Sequence, residues 1–372
     1  MSSRKVVVIG AGPAGLSTAL SLKDQGIRPL VLDRADTVAS SWRTRYDRLK
    51  LNSPRGRSHL AGRRFPKGTP VFPSRDQMIA HLEQGAAEDG LEIRLNTEVT
   101  RIDHTASGWT IQTSDGPIET DEVVVATGFE HTPQIPEWPG RETFTGELIH
   151  AAEYRNPDPY RGRRVLVVGC GCSGMEIAYD LAEGGAAEVW MAVRTAPNIV
   201  LRTGPGGIPG DWIAGSLLRT PKKFADAAAR FGRKMDMGDL SEFGLPVPEE
   251  GVFSRLERLK VAPAIVDKEV IEAIKARRFT VVKGVVSFDA TGVSLADGRH
   301  LEPHAVVCAT GYRRDLESLV GHLGVLDDQG IPRVKGEPAA PGLRFVGYTA
   351  RPAMVGFAAK EAQRAAKAIA AN

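Results

Sequence analysis

Gly10-x-Gly12-x-x-Gly15 follows the apolar run Val6–Ile9 and precedes a stretch, Leu16–Leu22, that is typical of a helix. A buried strand, a tight glycine turn and a helix N-terminus together form a site for a pyrophosphate. The glycines let the backbone approach the anion, and the free N–H groups and the dipole of the helix hold it. The predicted contacts to a dinucleotide at this turn come from Gly10, Gly12, Pro13, Ala14 and Gly15.

A second copy of this pattern, Gly169-x-Gly171-x-x-Gly174, lies near the middle of the chain. It follows the apolar run Val165–Val168 and precedes a predicted helix at Met175–Leu181. One such motif is weak evidence, but strand, turn and helix recur here in the same order. The sequence therefore predicts two bound dinucleotides, which is typical of proteins that pass electrons between them. The predicted contacts at the second turn come from Gly169, Gly171, Ser173 and Gly174.

The two copies differ in the charge that follows their second strand. In the first copy, Pro29–Leu32 leads into Asp33, whose carboxylate accepts hydrogen bonds from ribose hydroxyls and repels a 2′-phosphate. In the second copy, Glu188–Val193 leads into Arg194, whose guanidinium pairs with a 2′-phosphate. We therefore expect FAD at the first site and NADPH at the second. A solvated cation at a strand end is the alternative for Arg194.

The composition indicates an ordinary globular protein. At 372 residues, with 42% hydrophobic and 25% charged residues, the chain is long enough for two full domains. The formal net charge is +3 and no block of like charges stands out, so nothing indicates a nucleic-acid partner. No apolar stretch approaches a membrane span, and the first glycine motif lies inside the segment that resembles a signal peptide. We expect a cytoplasmic protein with no membrane attachment, and a homodimer is left open.

The three cysteines bear on the kind of redox chemistry. Flavoenzymes that reduce disulfides need a thiol pair beside the flavin, typically Cys-x-x-Cys. Here Cys170 and Cys172 are separated by one residue inside the second glycine turn, and Cys308 lies in an apolar strand. The pattern disfavours dithiol chemistry and a metal bound by cysteine. We predict no metal site.

The order of predicted elements indicates an α/β fold with two Rossmann-like domains, the NADPH domain inserted into the FAD domain. We predict the FAD-binding domain at 1–157 and 305–372, and the NADPH-binding domain at 158–304. Ala-Thr-Gly follows an apolar strand at both 126–128 and 309–311, which we interpret as the chain returning to the first domain at about 305. The predicted cofactor contacts from these two turns are Gly128, Thr310 and Gly311.

Two segments depart from the alternation of strands and helices. Residues 42–73 are irregular and rich in Arg, Gly and Pro, and loops of that length are often functional. Trp42 in this segment and Arg34 before it are predicted to contact the cofactor. A basic helical excursion covers about 205–262. We expect the two segments to form the walls of the substrate pocket.

Shorter patterns predict the rest of the first domain. Ser74 is typical of an N-cap residue, here for a helix that runs through Ala87. Alternating patterns around 99–102, 109–112 and 118 predict a meander of antiparallel strands.

The linker between the two copies carries the motif Phe144-x-Gly146-x-x-x-His150-x-x-x-Tyr154. It resembles the identifying sequence of flavin-containing monooxygenases. In Baeyer–Villiger enzymes of the same superfamily the last position is usually Trp, whereas this chain has Tyr154. The resemblance implies that His150 positions the cofactor or the linker. The alternative is an aromatic-rich linker whose histidine is merely satisfied by backbone groups.

The resemblance extends over nearly the whole chain. Residues 46–54 and 72–74 look like the flavin-side segment of this family, and 239–245 and 309–313 look most like the plant YUCCA-type indole-3-pyruvate monooxygenases. Asn52 matches the active-site asparagine of the heteroatom-oxidising members, which implies a catalytic position near the flavin C4a and the nicotinamide ribose. We would expect His there in the YUCCA type. On local chemistry, a turn-forming residue before a proline is the alternative for Asn52.

The resemblance implies a class B flavoprotein monooxygenase. NADPH would reduce FAD, the reduced flavin would react with O2 to give a C4a-(hydro)peroxide, and retained NADP+ would shield that species from water. The cofactor would supply the chemistry, and the protein would supply position, hydrogen bonds and a dry site. The substrate would be a small nucleophile (N or S), a carbonyl compound or a 2-oxo acid. The alternatives are a NADPH-dependent reductase or electron-transfer flavoprotein without oxygenation, and a cofactor-binding regulator without turnover.

Overall fold

The computed structural model describes residues 4–88 and 90–371. In chain order its strands are β1 (Val6–Ile9), β2 (Leu30–Leu32), β3 (Glu92–Arg94), β4 (Val99–Thr105), β5 (Gly108–Thr113), β6 (Gly116–Thr120), β7 (Glu122–Val125), β8 (Thr132–Pro133), β9 (Glu147–His150), β10 (Arg164–Val168), β11 (Glu188–Val193), β12 (Ile199–Leu201), β13 (Ala264–Val266), β14 (Thr280–Lys283), β15 (Val285–Phe288), β16 (Val293–Leu295), β17 (His300–Leu301), β18 (Ala305–Cys308), β19 (Tyr312–Arg313), β20 (Pro338–Ala340) and β21 (Leu343–Phe345). Its α-helices are α1 (Pro13–Asp24), α2 (Ser40–Arg43), α3 (Arg75–Glu88), α4 (Cys172–Glu183), α5 (Gly210–Leu217), α6 (Lys222–Met237), α7 (Val252–Leu259), α8 (Lys268–Lys275), α9 (Glu317–Val320) and α10 (Met354–Ala371).

The first large sheet is built around β1. Its strand order is β20-β21-β7-β1-β2-β3, parallel except for β20, which runs antiparallel to β21. Every residue of β1 is buried, which is why the strand is a continuous apolar run and not an alternating one. Helices α1 and α10 pack against each other beside this sheet, and the small side chains of Ala362 and Ala366 are fully buried there.

The second large sheet is built around β10 in the same way. Its strand order is β14-β11-β10-β18-β9, and all its pairs are parallel. Helix α4 packs against β10 and β11, with Met175, Ile177 and Leu181 fully buried. The two sheets therefore confirm the predicted α/β fold with two Rossmann-like domains.

Strand β18 corrects the predicted return of the chain to the first domain. Ala305–Cys308 pairs with β10 and β9, so it is a central strand of the second sheet. Strand β9, at 147–150, also belongs to the second sheet although we predicted it in the first domain. The chain rejoins the first sheet later, at β20 and β21. The inserted arrangement is confirmed, but residue 305 as the point of return is wrong.

The repeated Ala-Thr-Gly triplet has a different cause, which is that both domains repeat the same series of elements. In each, the third strand leads into a three-stranded antiparallel sheet, β4–β6 or β15–β17, and then into a strand beside the first one, β7 or β18. The triplet follows that strand. An added Cβ on Gly10 would lie 2.6 Å from the Ala126 carbonyl oxygen, and one on Gly169 would lie 2.4 Å from that of Ala309. The triplet therefore supports the glycine turn of its own domain.

The shorter sequence predictions for the first domain are confirmed. The predicted meander is β4–β6, and the predicted helix after Ser74 is α3. Gln77 N donates to Ser74 Oγ at 3.2 Å, and Ser74 N donates to Gln77 Oε1 at 2.9 Å. This reciprocal pair is a capping box, which satisfies two N–H groups at the helix start.

The helical excursion is confirmed as α5, α6 and α7. Helix α10, at Met354–Ala371, follows the last strand of the first sheet. Within residues 4–88 and 90–371, no helix has the length and apolar character needed to cross a membrane.

Candidate active site

The first glycine turn is shaped to receive a phosphate group at the N-terminus of α1. Gly10 has a φ of +110°, and a Cβ on Gly15 would lie 1.7 Å from the Gly10 carbonyl oxygen, so glycine is required at both positions. Gly12 has open space beside its Cα, on the side from which an anion approaches. Pro13 occupies the first helical turn, where a missing N–H costs little, and that turn carries no acidic residue.

Asp33 is held beside this turn by backbone groups. Its Oδ2 accepts a hydrogen bond from Ala11 N at 2.6 Å, and its Oδ1 accepts one from Ala35 N at 2.9 Å. A carboxylate has about four acceptor positions, so two remain for the hydroxyls of a ribose. The residues present at this turn therefore fit the pyrophosphate and ribose of FAD.

A cavity of about 1300 Å³ extends from the first glycine turn into the space between the two domains. Its walls include Asn52 and other residues of the irregular segment, Ser173 at the start of α4, and the helical excursion. Exposed apolar side chains of α5 and α6 contribute to it, among them Ile213, Phe231 and Met235. The predicted site residues that line the cavity are Gly10, Gly12, Pro13, Ala14, Asp33, Arg34, Trp42, Asn52, Gly128 and Ser173.

The second glycine turn repeats the geometry of the first. Gly169 has a φ of +115°, a Cβ on Gly174 would lie 2.1 Å from the Gly169 carbonyl oxygen, and Gly171 has open space. The turn differs in its surroundings, because Gly171 is exposed and only the start of α4, at Cys172 and Ser173, reaches the cavity wall. This geometry fits the pyrophosphate of a second nucleotide that approaches from solvent.

Two cations stand at the strand ends beside the second turn. Arg194 is exposed, and among the residues that the structure describes its guanidinium has no hydrogen bond or ion pair. Lys283, at the end of β14, is the strand partner of Val193 and is also exposed without an ion pair in the described chain. Gly284 lies against Arg194, where an added Cβ would come 3.1 Å from the Arg194 Cβ. The sequence did not single out Lys283, because only the pairing of β14 with β11 brings it to this place.

Asn52 lies between the two domains and contacts two residues of the second domain, Cys172 and Arg202. Its Nδ2 lies 3.6 Å from Cys172 Sγ, and its Oδ1 accepts a hydrogen bond from Arg202 Nη2 at 3.3 Å. A guanidinium carries only donors, so the amide atom that faces Arg202 is the oxygen. Because Cys172 takes one N–H of the amide, the second N–H is the part of Asn52 that remains for the cavity.

A buried network of charged and polar groups lies behind Asn52. Arg202 is 2% exposed and forms ion pairs with Glu176 and Asp267. The Tyr46 hydroxyl donates to Glu176 Oε2 at 2.9 Å. Burial raises the pKa of the Glu176 carboxyl, and the charge of Arg202 opposes that rise. No local pattern predicted this network, because its members are far apart in the chain.

The cysteines lie in surroundings that keep them as neutral thiols. Burial raises the pKa of Cys170 and of Cys172 to about 11, and that of Cys308 to about 12. A thiolate is the reactive form of cysteine, so these values disfavour nucleophilic or redox chemistry at all three.

His150 lies outside the lining of the cavity and bonds to backbone groups through both ring nitrogens. Its Nδ1 accepts from Ala152 N at 3.0 Å, so the proton is on Nε2, which donates to the Gly311 carbonyl oxygen at 3.0 Å. Burial lowers the pKa of His150, which keeps the ring neutral. The hydroxyl of Thr310 donates to Gln134 O. Both ring nitrogens of His150 are therefore satisfied by backbone groups, as in the alternative that the sequence left open, and a contact with the cofactor stays a prediction.

Comparison with known proteins places this geometry in a family. A model of the pyridine nucleotide-disulphide oxidoreductases matches residues 7–202. The probable indole-3-pyruvate monooxygenase YUCCA3 of Arabidopsis thaliana is 33% identical over 92% of this chain and 82% of its own length. The indole-3-pyruvate monooxygenase YUCCA1 of Oryza sativa subsp. japonica is 34% identical over 93% and 86%. The chain belongs to the flavin-containing monooxygenases.

Solved structures agree with this assignment. The flavin-containing monooxygenase from Stenotrophomonas maltophilia has a TM-score of 0.73 at 25% identity, over 100% of this chain and 99% of its own. A cyclohexanone monooxygenase, at 18% identity, has a TM-score of 0.74 over 99% of this chain and 87% of its own. The bacillithiol disulfide reductase from Bacillus cereus, at 20% identity, has a TM-score of 0.72 over 99% of both chains. The last two likenesses show the shared fold alone.

This monooxygenase is an oxidoreductase that uses FAD and NADPH as cofactors and acts on O2 and a small molecule. The predicted oxygenation is thereby confirmed, and the alternative of a reductase without oxygenation finds no support.

Proposed function

We propose that the first glycine turn holds the pyrophosphate of FAD and the second that of NADPH. The first turn opens into the cavity and has Asp33 at its strand end, which suits a resident cofactor with a free ribose. The second turn is open to solvent, which suits a nucleotide that binds and leaves in each cycle. Arg194, with Lys283 beside it, would pair with the 2′-phosphate, because both cations are otherwise unpaired in the described chain.

We propose that the substrate is a small organic acid with an apolar body, and that 2-oxo acids are its first choice. The observation that carries this proposal is Arg351, which lines the cavity with its guanidinium 4.0 Å from the centre of the Phe357 ring. It forms no hydrogen bond or ion pair with any residue the structure describes, and its buried Nε lacks a partner. An unpaired guanidinium in an apolar cavity is a ready partner for a carboxylate.

Charges of both signs surround Arg351, with Arg57 as the neighbouring cation and Asp211 and Glu361 as the carboxylates. Arg57 Nη1 lies 2.9 Å from Asp211 Oδ2, so that carboxylate already has one cation. Burial raises the pKa of the Asp211 carboxyl, and the charges of Arg57 and Arg351 oppose that rise. Burial, followed by the charge of Arg57, lowers the pKa of Arg351 itself. An arriving carboxylate would relieve this repulsion between the two cations.

The chain's own residues would bind, orient and enclose the substrate. FAD, when bound, supplies the transfer of electrons from NADPH to O2. Arg351 would hold the acid group, and the apolar side chains of α5 and α6 would cover the body of the substrate and exclude water. Asn52 would donate a hydrogen bond from Nδ2 to the reacting atoms. This arrangement requires neither a general acid or base nor a nucleophilic side chain from the protein.

The proposal is tested by incubating the holoenzyme with NADPH, 18O2 and a panel of 2-oxo acids, sulfides, amines and ketones. We expect incorporation of one labelled atom, strongest for a 2-oxo acid with an aromatic or aliphatic body. For the best acid, Arg351→Gln should raise KM by about 10- to 100-fold with little change in kcat, as expected for a lost charge-assisted hydrogen bond. Release of all reducing equivalents as H2O2 with every compound would contradict the proposal.

Arg314 offers a matched control for Arg351. Its guanidinium also lies 4.0 Å from a phenylalanine ring centre, that of Phe129, and its buried Nε likewise lacks a partner, but Arg314 is not part of the cavity lining. Arg314→Gln should leave KM unchanged. An equal effect of the two variants would show that the loss of a stacked arginine, and not of a substrate contact, raised KM.

A second candidate is the oxidation of a sulfide or an amine. It is favoured by Asn52, which stands where the resemblance predicts His for the YUCCA type and Asn for the heteroatom-oxidising members. The same panel separates the two candidates, because a neutral or cationic nucleophile would not need Arg351. Cytoplasmic location and a homodimer stay predictions, and size-exclusion chromatography of the holoenzyme tests the latter.

A further inference from the structure

Arg202 and Cys172 contact the two ends of the Asn52 amide. Arg202 Nη2 donates to Asn52 Oδ1 at 3.3 Å, and Cys172 Sγ lies 3.6 Å from Asn52 Nδ2. The thiol is itself oriented, because it accepts from Ile265 N at 3.2 Å and lies 3.6 Å from Pro263 O. These contacts use the amide oxygen and one N–H, so one N–H of Asn52 remains for the cavity that Asn52 lines.

Arg202 is itself held by its backbone and by both terminal nitrogens of its guanidinium, while its buried Nε has no partner. Its backbone N donates to Val266 O at 2.8 Å, and its carbonyl oxygen accepts from Gly210 N at 2.9 Å. Its two terminal nitrogens are paired with Asp267 and Glu176 in the protein interior. A guanidinium is a rigid planar fork, so these pairs fix the direction in which Nη2 points. Arg202 therefore has no freedom to follow a rotation of Asn52.

The network connects Asn52 to the helix that begins at the second glycine turn. Glu176 and Cys172 both lie on α4, within about one turn of its start. Tyr46, from the same irregular segment as Asn52, donates to the second oxygen of Glu176. The orientation of Asn52 and the position of α4 therefore depend on each other.

We propose that Arg202 is a positioning residue for oxygen transfer, which holds the Asn52 amide with its NH2 group toward the cavity. This inference rests on the donor role proposed above for Asn52. Without Arg202 the amide is free to turn and present its oxygen, which repels a developing negative charge where a donor is needed. NADPH, O2 and one proton would then yield NADP+ and H2O2, and less of the oxygen would reach a substrate.

A double-mutant cycle in the holoenzyme tests this proposal without a known substrate. The variants are Asn52→Ala, Arg202→Met and their combination, and the readout is the rate of H2O2 release per enzyme with NADPH in air. We expect each single variant to raise this rate by about tenfold, the effect of one hydrogen bond to a charged group. The double variant should be no faster than the faster single variant, because both remove the same interaction.

Two further measurements separate positioning from general destabilisation. Titration of the oxidised holoenzyme with NADP+, followed by the flavin absorption spectrum, should show the same altered spectral change in both single variants. Arg344→Met is the matched control, since Arg344 is equally buried and forms an ion pair with Glu122 outside the cavity lining. This control should lower Tm without changing H2O2 release or the spectrum.

The outcomes distinguish this inference from the proposed function. The positioning role is wrong if Asn52→Ala releases H2O2 faster than the wild type while Arg202→Met releases it at the wild-type rate. It is also wrong if the effects of the two substitutions on this rate multiply. In both cases the role of Asn52 stands. If Asn52→Ala itself behaves as wild type, the donor role fails and the positioning role falls with it. If Arg202→Met does not retain FAD, Arg202→Lys replaces it in the experiment, because lysine keeps the positive charge beside Glu176 but lacks the planar guanidinium. Release of H2O2 at the wild-type rate in that variant would equally overturn the proposal.

Discussion

The two dinucleotide-binding domains share one backbone design but differ in charge and in access. In both, a glycine turn crosses the carbonyl of an alanine, Ala126 or Ala309, before a helix begins. At the neighbouring strand end, the Asp33 carboxylate accepts two backbone N–H groups, whereas Arg194 is unpaired among the described residues. In the proposed assignment, the turn provides for a pyrophosphate in general, and the residue after the second strand selects which nucleotide is bound.

The two glycine turns also differ in their access to solvent, and this difference fits the same assignment. The first turn opens into the interior cavity, while Gly171 of the second is exposed to solvent. A cofactor that stays bound through many cycles suits the first position, and a nucleotide that is exchanged suits the second. The two domains thus illustrate how one repeated unit acquires two roles through a few residues outside the glycine motif.

The largest effect is expected from placing a side chain where the helix crosses each turn. Gly15→Ala would put a Cβ 1.7 Å from the Gly10 carbonyl oxygen, and Gly174→Ala would put one 2.1 Å from that of Gly169. Backbone must move in both cases, so Gly15→Ala should yield protein without FAD, and Gly174→Ala should keep FAD while its KM for NADPH rises at least tenfold. FAD content and NADPH kinetics check this pair of results.

Gly232→Ala is the control for this pair, since Gly232 lies in α6 at the cavity wall, in neither glycine turn, with open space beside it. That variant should be neutral, or slightly more stable because alanine favours a helix. Loss of FAD in Gly174→Ala, or a change only in the use of NADPH in Gly15→Ala, would contradict the assignment of one cofactor to each domain.

A smaller effect is expected from the strand-end charge. Arg194→Gln should raise KM for NADPH by about 10- to 100-fold and leave KM for NADH unchanged, because one charge-assisted pair with the 2′-phosphate is lost. Lys283→Gln should have the same sign and a smaller size, since a lysine ammonium makes no bidentate pair. Steady-state kinetics with both nucleotides give the answer. Equal losses with NADPH and NADH would show that Arg194 does not contact the 2′-phosphate.

The last effect concerns acid stability and not cofactor use, and we expect it to arise in the first domain. His81 Nε2 accepts from Leu60 N at 3.2 Å, and its ring stacks on Phe65. Burial, followed by the charge of His59, lowers the pKa of His81 to about 4. The unfolded chain, with a histidine pKa near 6.5, therefore binds more protons between these values, and stability should fall by roughly 2 to 3 kcal/mol as pH drops from about 6.5 to about 4.

Urea unfolding across that pH range measures this loss. His81→Gln should flatten the dependence, because it removes the group whose pKa is lowered by folding. A wild-type slope in His81→Gln would assign the acid sensitivity to other groups, such as the buried His150, whose pKa is also lowered.

Local pattern was sufficient to predict the elements that carry the cofactors. Glycine spacing, apolar runs and the charges of Asp33 and Arg194 all lie within about 30 residues of each turn. The capping box at Ser74 and the meander β4–β6 are equally local, and the structure confirms them. Each of these features is decided by backbone geometry close in sequence, which a single chain displays directly.

Long-range pairing was not visible in the same way. The apolar run Ala305–Cys308 has no local mark that assigns it to one sheet, and only its pairing with β10 shows that the triplet is an internal repeat. Lys283 and Arg351 are ordinary cations until strand pairing and the cavity place them. Arg202 and Glu176 are brought to Asn52 from distant parts of the chain, so the support behind the predicted catalytic residue could not be read from the sequence.

The most direct measurement of the central claim is a crystal structure of the protein with FAD and NADP+ bound. The account predicts that the FAD ribose hydroxyls lie on the Asp33 carboxylate, and that the 2′-phosphate of NADP+ lies on Arg194 with Lys283 beside it. The two pyrophosphates should each lie on one glycine turn, at Gly12 and at Gly171. A structure in which NADP+ leaves Arg194 free, or in which one nucleotide contacts both turns, would contradict it.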